Sequence, residues 1–155
     1  MTETSGLLTS SGEPFATGST DYFDIHPQRR DLHARIYVPF QLEGVPFEYL
    51  ALLDTGVLYC VLNEEAANQT REHLTARLDR VEIRTPYGLA RGDLFSHRIW
   101  LIAGEGEGES LDVDVILFLP TEWHGPCFIG YTGALDRIRF AIDPKKNRFF
   151  FGPLD

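Results

Sequence analysis

Leu50-Ala51-Leu52-Leu53-Asp54-Thr55-Gly56-Val57 is the stretch on which the reading of this chain turns. Four apolar residues run directly into an acid, and an apolar stretch resumes after the glycine. A run that is apolar on every residue reads as a strand buried on both faces. Asp54 therefore stands at the mouth of a buried strand. An unpaired carboxylate is costly to bury, so something must share its charge. Gly56 is expected to allow a tight turn at φ values that other residues avoid. Asp-Thr-Gly by itself is also an ordinary turn sequence, and that reading stays open on composition alone.

Working outward, order begins near Leu32. Ala34, Ile36, Val38 and Phe40 alternate with Arg35, Tyr37 and Gln41, the period of a strand. Glu43-Gly44 reads as a turn, and Val45 to Leu53 as the returning arm of a hairpin. Val57 to Leu62 reads as a third strand. Asn63 suits an N-cap, Glu64 and Glu65 suit a first helical turn, and the pattern predicts a helix to about Arg77. Val81–Thr85, Leu94–Ala103, Leu111–Leu119, Arg139–Ile142 and Arg148–Phe151 read as further strands. A turn at Asp143-Pro144-Lys145-Lys146-Asn147 joins the last two. Phe128-Ile129-Gly130 is a short apolar run closed by glycine, with a short helix expected from Tyr131 to Arg137. Residues 1–24 are rich in Ser, Thr and Gly and read as a flexible tail or a strand-like arm.

The 155 residues suffice for one domain with a real core, and 43% hydrophobic content argues against wholesale disorder. With 11 Phe, 6 Tyr and 2 Trp, the aromatic content favours pleated surfaces and a mostly β fold. The net charge of -9 repels phosphate backbones and anionic headgroups, so neither nucleic acid nor a membrane surface is an expected partner. Two cysteines, Cys60 and Cys127, make no disulfide framework and no zinc spacing; both read as small buried hydrophobes. The five histidines form no HxH or HExxH pattern, and no serine sits in a GxSxG elbow. No metal or cofactor is called for. The start of the chain does not read as a secretory signal, and a cytoplasmic location is the expectation.

The acid loop, Leu52-Leu53-Asp54-Thr55-Gly56-Val57, resembles that of retropepsin-like aspartic proteases. The block Phe128-Ile129-Gly130-Tyr131, followed by Leu135-Asp136-Arg137-Ile138-Arg139-Phe140-Ala141-Ile142-Asp143, is similar to the C-terminal part of the bacterial members. The resemblance covers roughly residues 32–152, and with Met1 present it suggests a free-standing protein. It implies a small closed β-barrel of the acid-protease type with one or two short helices. It also implies an aspartic endopeptidase that is complete only as a homodimer, acting on a peptide or protein substrate.

Residue by residue, Asp54 matches the catalytic aspartate, Thr55 the threonine that ties two loops across the dimer, and Gly56 the glycine that admits substrate. Tyr87, Gly88 and Gly92 resemble the flap, while Ile129 and Gly130 match the C-terminal structural motif. The family's terminal strands commonly build its interface, which suggests the arm or Phe149-Phe150-Phe151 for that role here. Val57 stands where many members carry Ala. Leu58-Tyr59-Cys60 is bulkier than usual and narrows the space for substrate. A non-proteolytic dimerisation or peptide-binding module is the alternative reading, and an unrelated β-barrel with Asp54 in a simple turn is a third.

Overall fold

The computed structural model describes residues 7–28, 36–85 and 87–155. Leu32, Ala34, Arg35, His33 and Pro86, all used in the sequence reading, lie outside that set, as does the start of the tail at residues 1–6.

The elements follow in the order β1 (Gly18–Asp21), β2 (Tyr37–Leu42), β3 (Glu48–Leu53), β4 (Cys60–Val61), α1 (Glu64–Thr70), β5 (Asp79–Thr85), β6 (Gly88–Leu101), β7 (Leu111–Pro120), β8 (Cys127–Ile129), β9 (Ile138–Asp143) and β10 (Arg148–Pro153). Short 3-10 turns occupy Arg71–His73 and Leu135–Arg137. The strands β2-β3-β8-β4-β7-β6 lie side by side in that order, and β2 pairs again with β6. Six strands therefore close on themselves, and β5 extends from β6 beyond the closure. The mostly β, closed-barrel architecture expected from the sequence is what forms.

The apolar strand reading is explained by two buried faces. Val38, Ala51, Cys60, Leu117, Cys127 and Ile129 share one cluster. Their immediate neighbours Tyr37, Leu52, Val61, Phe118 and Phe128 share the other. Register carries this through the sheet: Ala51 pairs with Val38 and Cys127, while Leu52 pairs with Tyr37 and Phe128. Ile83, Ala90 and Leu94 of the β5–β6 hairpin cover the second face. Strand β8 enters late in the chain, parallel to β3 and antiparallel to β4, so it separates the two strands that flank the acid loop.

Several boundaries differ from the sequence reading. Helix α1 starts as expected, with Asn63 Oδ1 accepting the Ala66 N–H at 2.9 Å. It ends at Thr70 rather than Arg77, because its buried positions are only Ala66, Ala67 and Thr70, and Leu78 is 58% exposed. A helix without a continued apolar stripe gains too little from packing to persist. The third strand shrinks to Cys60–Val61, because Tyr59 adopts φ 67° and breaks the extended run. The returning arm begins at Glu48 rather than Val45, and β6 begins at Gly88 rather than Leu94.

Residues 18–21, read as part of a flexible tail or arm, form β1 and pair with Phe151 to Arg148. Over these residues the arm is what forms. Strand β10 in turn has β1 on one side and β9 on the other. Both edges of Phe149-Phe150-Phe151 are thus taken within its own chain, so this strand can enter an intersubunit sheet only by way of a neighbouring strand.

Cys60 is wholly buried and Cys127 is 1% exposed. Burial, with a smaller contribution from the neighbouring Cys127, pushes the Cys60 thiol far up from its ordinary range. Neither thiol is therefore expected to react with an alkylating reagent in the native protein, whereas both react after unfolding. Counting adducts by mass spectrometry checks this. Rapid labelling of the native chain would contradict the packing. Among the described residues, no helix is long and apolar enough to cross a membrane.

Candidate active site

Strand β3 delivers the acid. Leu53 ends the strand, and the next N–H, that of Asp54, donates to the Ile129 carbonyl of β8 at 3.1 Å. The loop then closes on itself: the Gly56 N–H donates to Asp54 Oδ1 at 2.8 Å, and the Val57 N–H to the Asp54 carbonyl at 3.2 Å. Asp54 is half-buried, while Thr55 and Gly56 are exposed. The carboxylate is thus oriented by backbone of its own loop.

Gly56 does not use a positive φ, contrary to the sequence expectation. A side chain there would place Cβ 3.2 Å from Asp54 Oδ1. Its role in the structure is to give an N–H close access to the acid. The strained position is Tyr59, at φ 67°, a conformation with a real cost for a bulky residue. Hydrogen bonds hold it there. Its N–H donates to Thr132 at 3.2 Å and its carbonyl accepts from Gly130 at 2.8 Å. Tyr131 adds a third bond, donating to the Val57 carbonyl at 2.8 Å.

The stretch 129–132 is therefore the wall against which the acid loop is built, which explains the apolar-apolar-glycine sequence. A Cβ on Gly130 would sit 2.3 Å from both the Val57 and the Tyr59 carbonyl oxygens. Only glycine lets the two segments approach this closely. Ile129 and Gly130, picked out in the sequence, are brought to the acid; Ile129 contributes its carbonyl and a buried side chain.

The β5–β6 hairpin carries Tyr87 and Gly88, the residues read from the sequence as a flap tip. Its tip is built on Thr85, whose hydroxyl accepts the Tyr87 N–H at 3.1 Å and donates to the Gly88 carbonyl at 2.9 Å. Gly88 has φ +115°, which side chains rarely adopt. The Tyr87 ring lies edge-on to Trp123 and Phe128, with centroids 5.9 and 5.8 Å apart. Phe128 immediately precedes the residue that holds Asp54, so the tip and the acid loop rest on adjacent residues of β8.

Gly92 is placed differently from the sequence reading. It lies inside β6, opposite Val81 and Pro120, and a Cβ would meet the Leu119 carbonyl at 2.2 Å. Close strand packing accounts for it, and it is not at the tip.

Trp123, between β7 and β8, is 7% exposed, and its indole N–H donates to the Pro126 carbonyl at 2.9 Å. The only signal for it was its aromatic character, because its partners lie far away in sequence. Leu58 and Tyr131, on the two segments that meet beside the acid, are both exposed.

A broad groove of about 900 Å³ lies elsewhere, lined in part by His26, Tyr49, Glu64, Glu65, Trp123 and His124, and does not include Asp54. Among the described residues, no group of three or more His, Cys, Asp or Glu is placed to hold a metal ion.

No protein-family model matches the chain, and no curated protein matches it. Among solved structures it is similar to the crystal structure of the retroviral protease-like domain of Ddi1 from Leishmania major. The two share 18% sequence identity over 76% of this chain and 93% of that one, with a TM-score of 0.48.

Proposed function

We propose that the chain is one half of an aspartic endopeptidase, completed when a second copy brings its own Asp54 opposite the first. The observation that carries this reading is Asp54 itself. It is a half-buried carboxylate that accepts the Gly56 N–H, in a loop whose Thr55 and Gly56 are exposed. In such a pair, two like charges a few ångströms apart share one proton and titrate as a unit. The ionised carboxylate takes a proton from a bound water as its oxygen attacks the scissile carbonyl carbon. The protonated carboxyl polarises the carbonyl oxygen. A proton then passes to the amide nitrogen as the carbon–nitrogen bond breaks, and no acyl-enzyme forms. Thr55 steadies the two loops across the axis, Gly56 leaves room for the peptide, and Tyr87 and Gly88 cover it. The substrate is a peptide or protein, and no cofactor enters the chemistry.

A second reading is favoured by one observation. The Tyr87 ring is seated on Trp123 and Phe128, and Val57 and Leu52 join Ile83 and Ala90 in one buried cluster. The space beneath the flap is therefore largely filled by the chain itself, which suits a dimerisation or peptide-binding module without catalysis.

Concentration dependence tests the first reading. With a peptide library on the acidic side of neutrality, specific activity is expected to fall on dilution, because a monomer holds half a site. Activity that stays proportional to chain down to very low concentration would contradict a shared site. No cleavage at any concentration would leave the module reading standing.

A further inference from the structure

The three-stranded sheet β1-β10-β9 has one open edge among the described residues, and its backbone directions can be read out. The outer side of β1 is occupied: Ser19 N–H donates to the Glu107 carbonyl at 3.0 Å, and Gly104 N–H to the Ser19 carbonyl at 2.9 Å. Within β10, the Phe151 carbonyl accepts from Thr17, so Phe151 and Phe149 direct their backbone groups toward β1. Arg148, Phe150 and Gly152 then face β9, where they pair with Asp143, Ala141 and Arg139. The alternation leaves the N–H and C=O of Phe140 and Ile142 pointing away from the sheet, unpaired among the described residues. Ile138 shares this direction, but its N–H is returned to Leu135.

An open edge of this kind is a template for another strand. Most edge strands carry features that discourage pairing; this one carries features that fit it to itself. Arg139 has no ion-pair partner among the described residues, and Asp143 uses one oxygen to accept the Lys145 N–H at 3.0 Å. Phe140 is half-buried, and Ile142, on the same face, is 37% exposed.

Resting on the shared-site reading, we infer that β9 pairs antiparallel with β9 of a second copy, about a two-fold axis through Ala141. In that register Phe140 lies opposite the partner subunit's Ile142, and both outward backbone pairs are satisfied reciprocally. On one face these side chains extend the apolar layer. On the other, Arg139 lies opposite the partner subunit's Asp143, twice by symmetry. Registers centred on residue 140 or 142 instead set Ile142 opposite Ile138, whose N–H is already used, or Phe140 opposite Pro144, which has none, and both lose the two charge pairs. The strand is well placed to serve the site. It follows directly from the 3-10 turn at Leu135–Arg137, and the Leu135 N–H donates to the Gly130 carbonyl at 3.0 Å, beside the acid loop.

The test is a charge exchange on the full chain, read by sedimentation equilibrium. Arg139→Asp and Asp143→Arg each set like charges across the axis. Each is expected to raise the dimer dissociation constant by about tenfold or more. An equimolar mixture of the two variants restores opposite charges at both positions, and it is expected to dimerise nearly as well as wild type. Recovery in the mixture also shows that neither variant has simply lost its fold. Ile142→Pro removes an outward N–H that its own sheet does not use, and is expected to weaken the dimer as well. If wild type dimerises and the single variants match it, or if the mixture fails to recover, the β9 pairing is wrong while the shared site survives. If wild type is monomeric at every concentration, both fail together.

Discussion

Replacing Asp54 by asparagine is expected to lower peptide-bond hydrolysis by about a thousandfold or more while leaving the fold in place. A positioned acid–base group contributes about 10² to 10⁴ in rate. In the shared site proposed above, the variant removes that group from both halves at once. Asparagine has nearly the same shape, and its side-chain oxygen can still accept the Gly56 N–H now held at 2.8 Å by Asp54 Oδ1. The change exchanges a charge-assisted hydrogen bond for a neutral one, a loss of about 1 kcal/mol. Thermal unfolding should therefore shift by only a few degrees. Measuring cleavage of a peptide library alongside the unfolding curve separates the two effects. Undiminished cleavage by the variant would assign the activity to a contaminant or to another group on this chain.

The largest effect on stability is expected at Gly130. A methyl group there would lie 2.3 Å from two backbone carbonyl oxygens, those of Val57 and Tyr59. Neither can rotate away, since each already accepts a hydrogen bond, from Tyr131 and from Gly130 itself, at 2.8 Å. Relief requires the wall and the acid loop to separate, and both bonds weaken together. Overpacking costs about 1–3 kcal/mol, and each buried backbone group left unpaired adds about as much. Gly130→Ala is accordingly expected to cost about 3 kcal/mol or more, lowering the unfolding temperature by roughly 10 °C or more in a domain of this size. Gly56→Ala offers the contrast, because its Cβ would meet only Asp54 Oδ1, at 3.2 Å. Denaturant unfolding of the two variants side by side checks the difference. Equal stability would mean that the loop does not depend on this close approach.

What the sequence made legible was local. Alternation and apolar runs marked nearly every barrel strand, because pleat geometry writes a period of two into any buried sheet. The acid at the end of β3 and the glycine-closed run before residue 131 were visible for the same reason. What was hidden depended on distant partners. Tyr59 looked like strand, since nothing in Val57-Leu58-Tyr59-Cys60 announces a left-handed residue held by 130–132. Gly92 read as belonging with the hairpin tip because its explanation, the Leu119 carbonyl, sits on another strand. Nothing near Trp123 in sequence announces its burial, because Tyr87 reaches it from the tip of the β5–β6 hairpin. The open edge of β9 could not be read at all, because it is defined by which sides of β10 and β1 are already filled.

The placement of β8 between β3 and β4 has a consequence for biosynthesis. As the chain emerges from the ribosome, Asp54 and the segment that follows it appear early, but the slot between their flanking strands stays vacant until residues 127–129 arrive. Long-range pairings of this kind form late. A nascent chain therefore carries the acid without the carbonyl that fixes it or the glycine that lets its loop close. Whatever the acid loop does is withheld until β8 has been made.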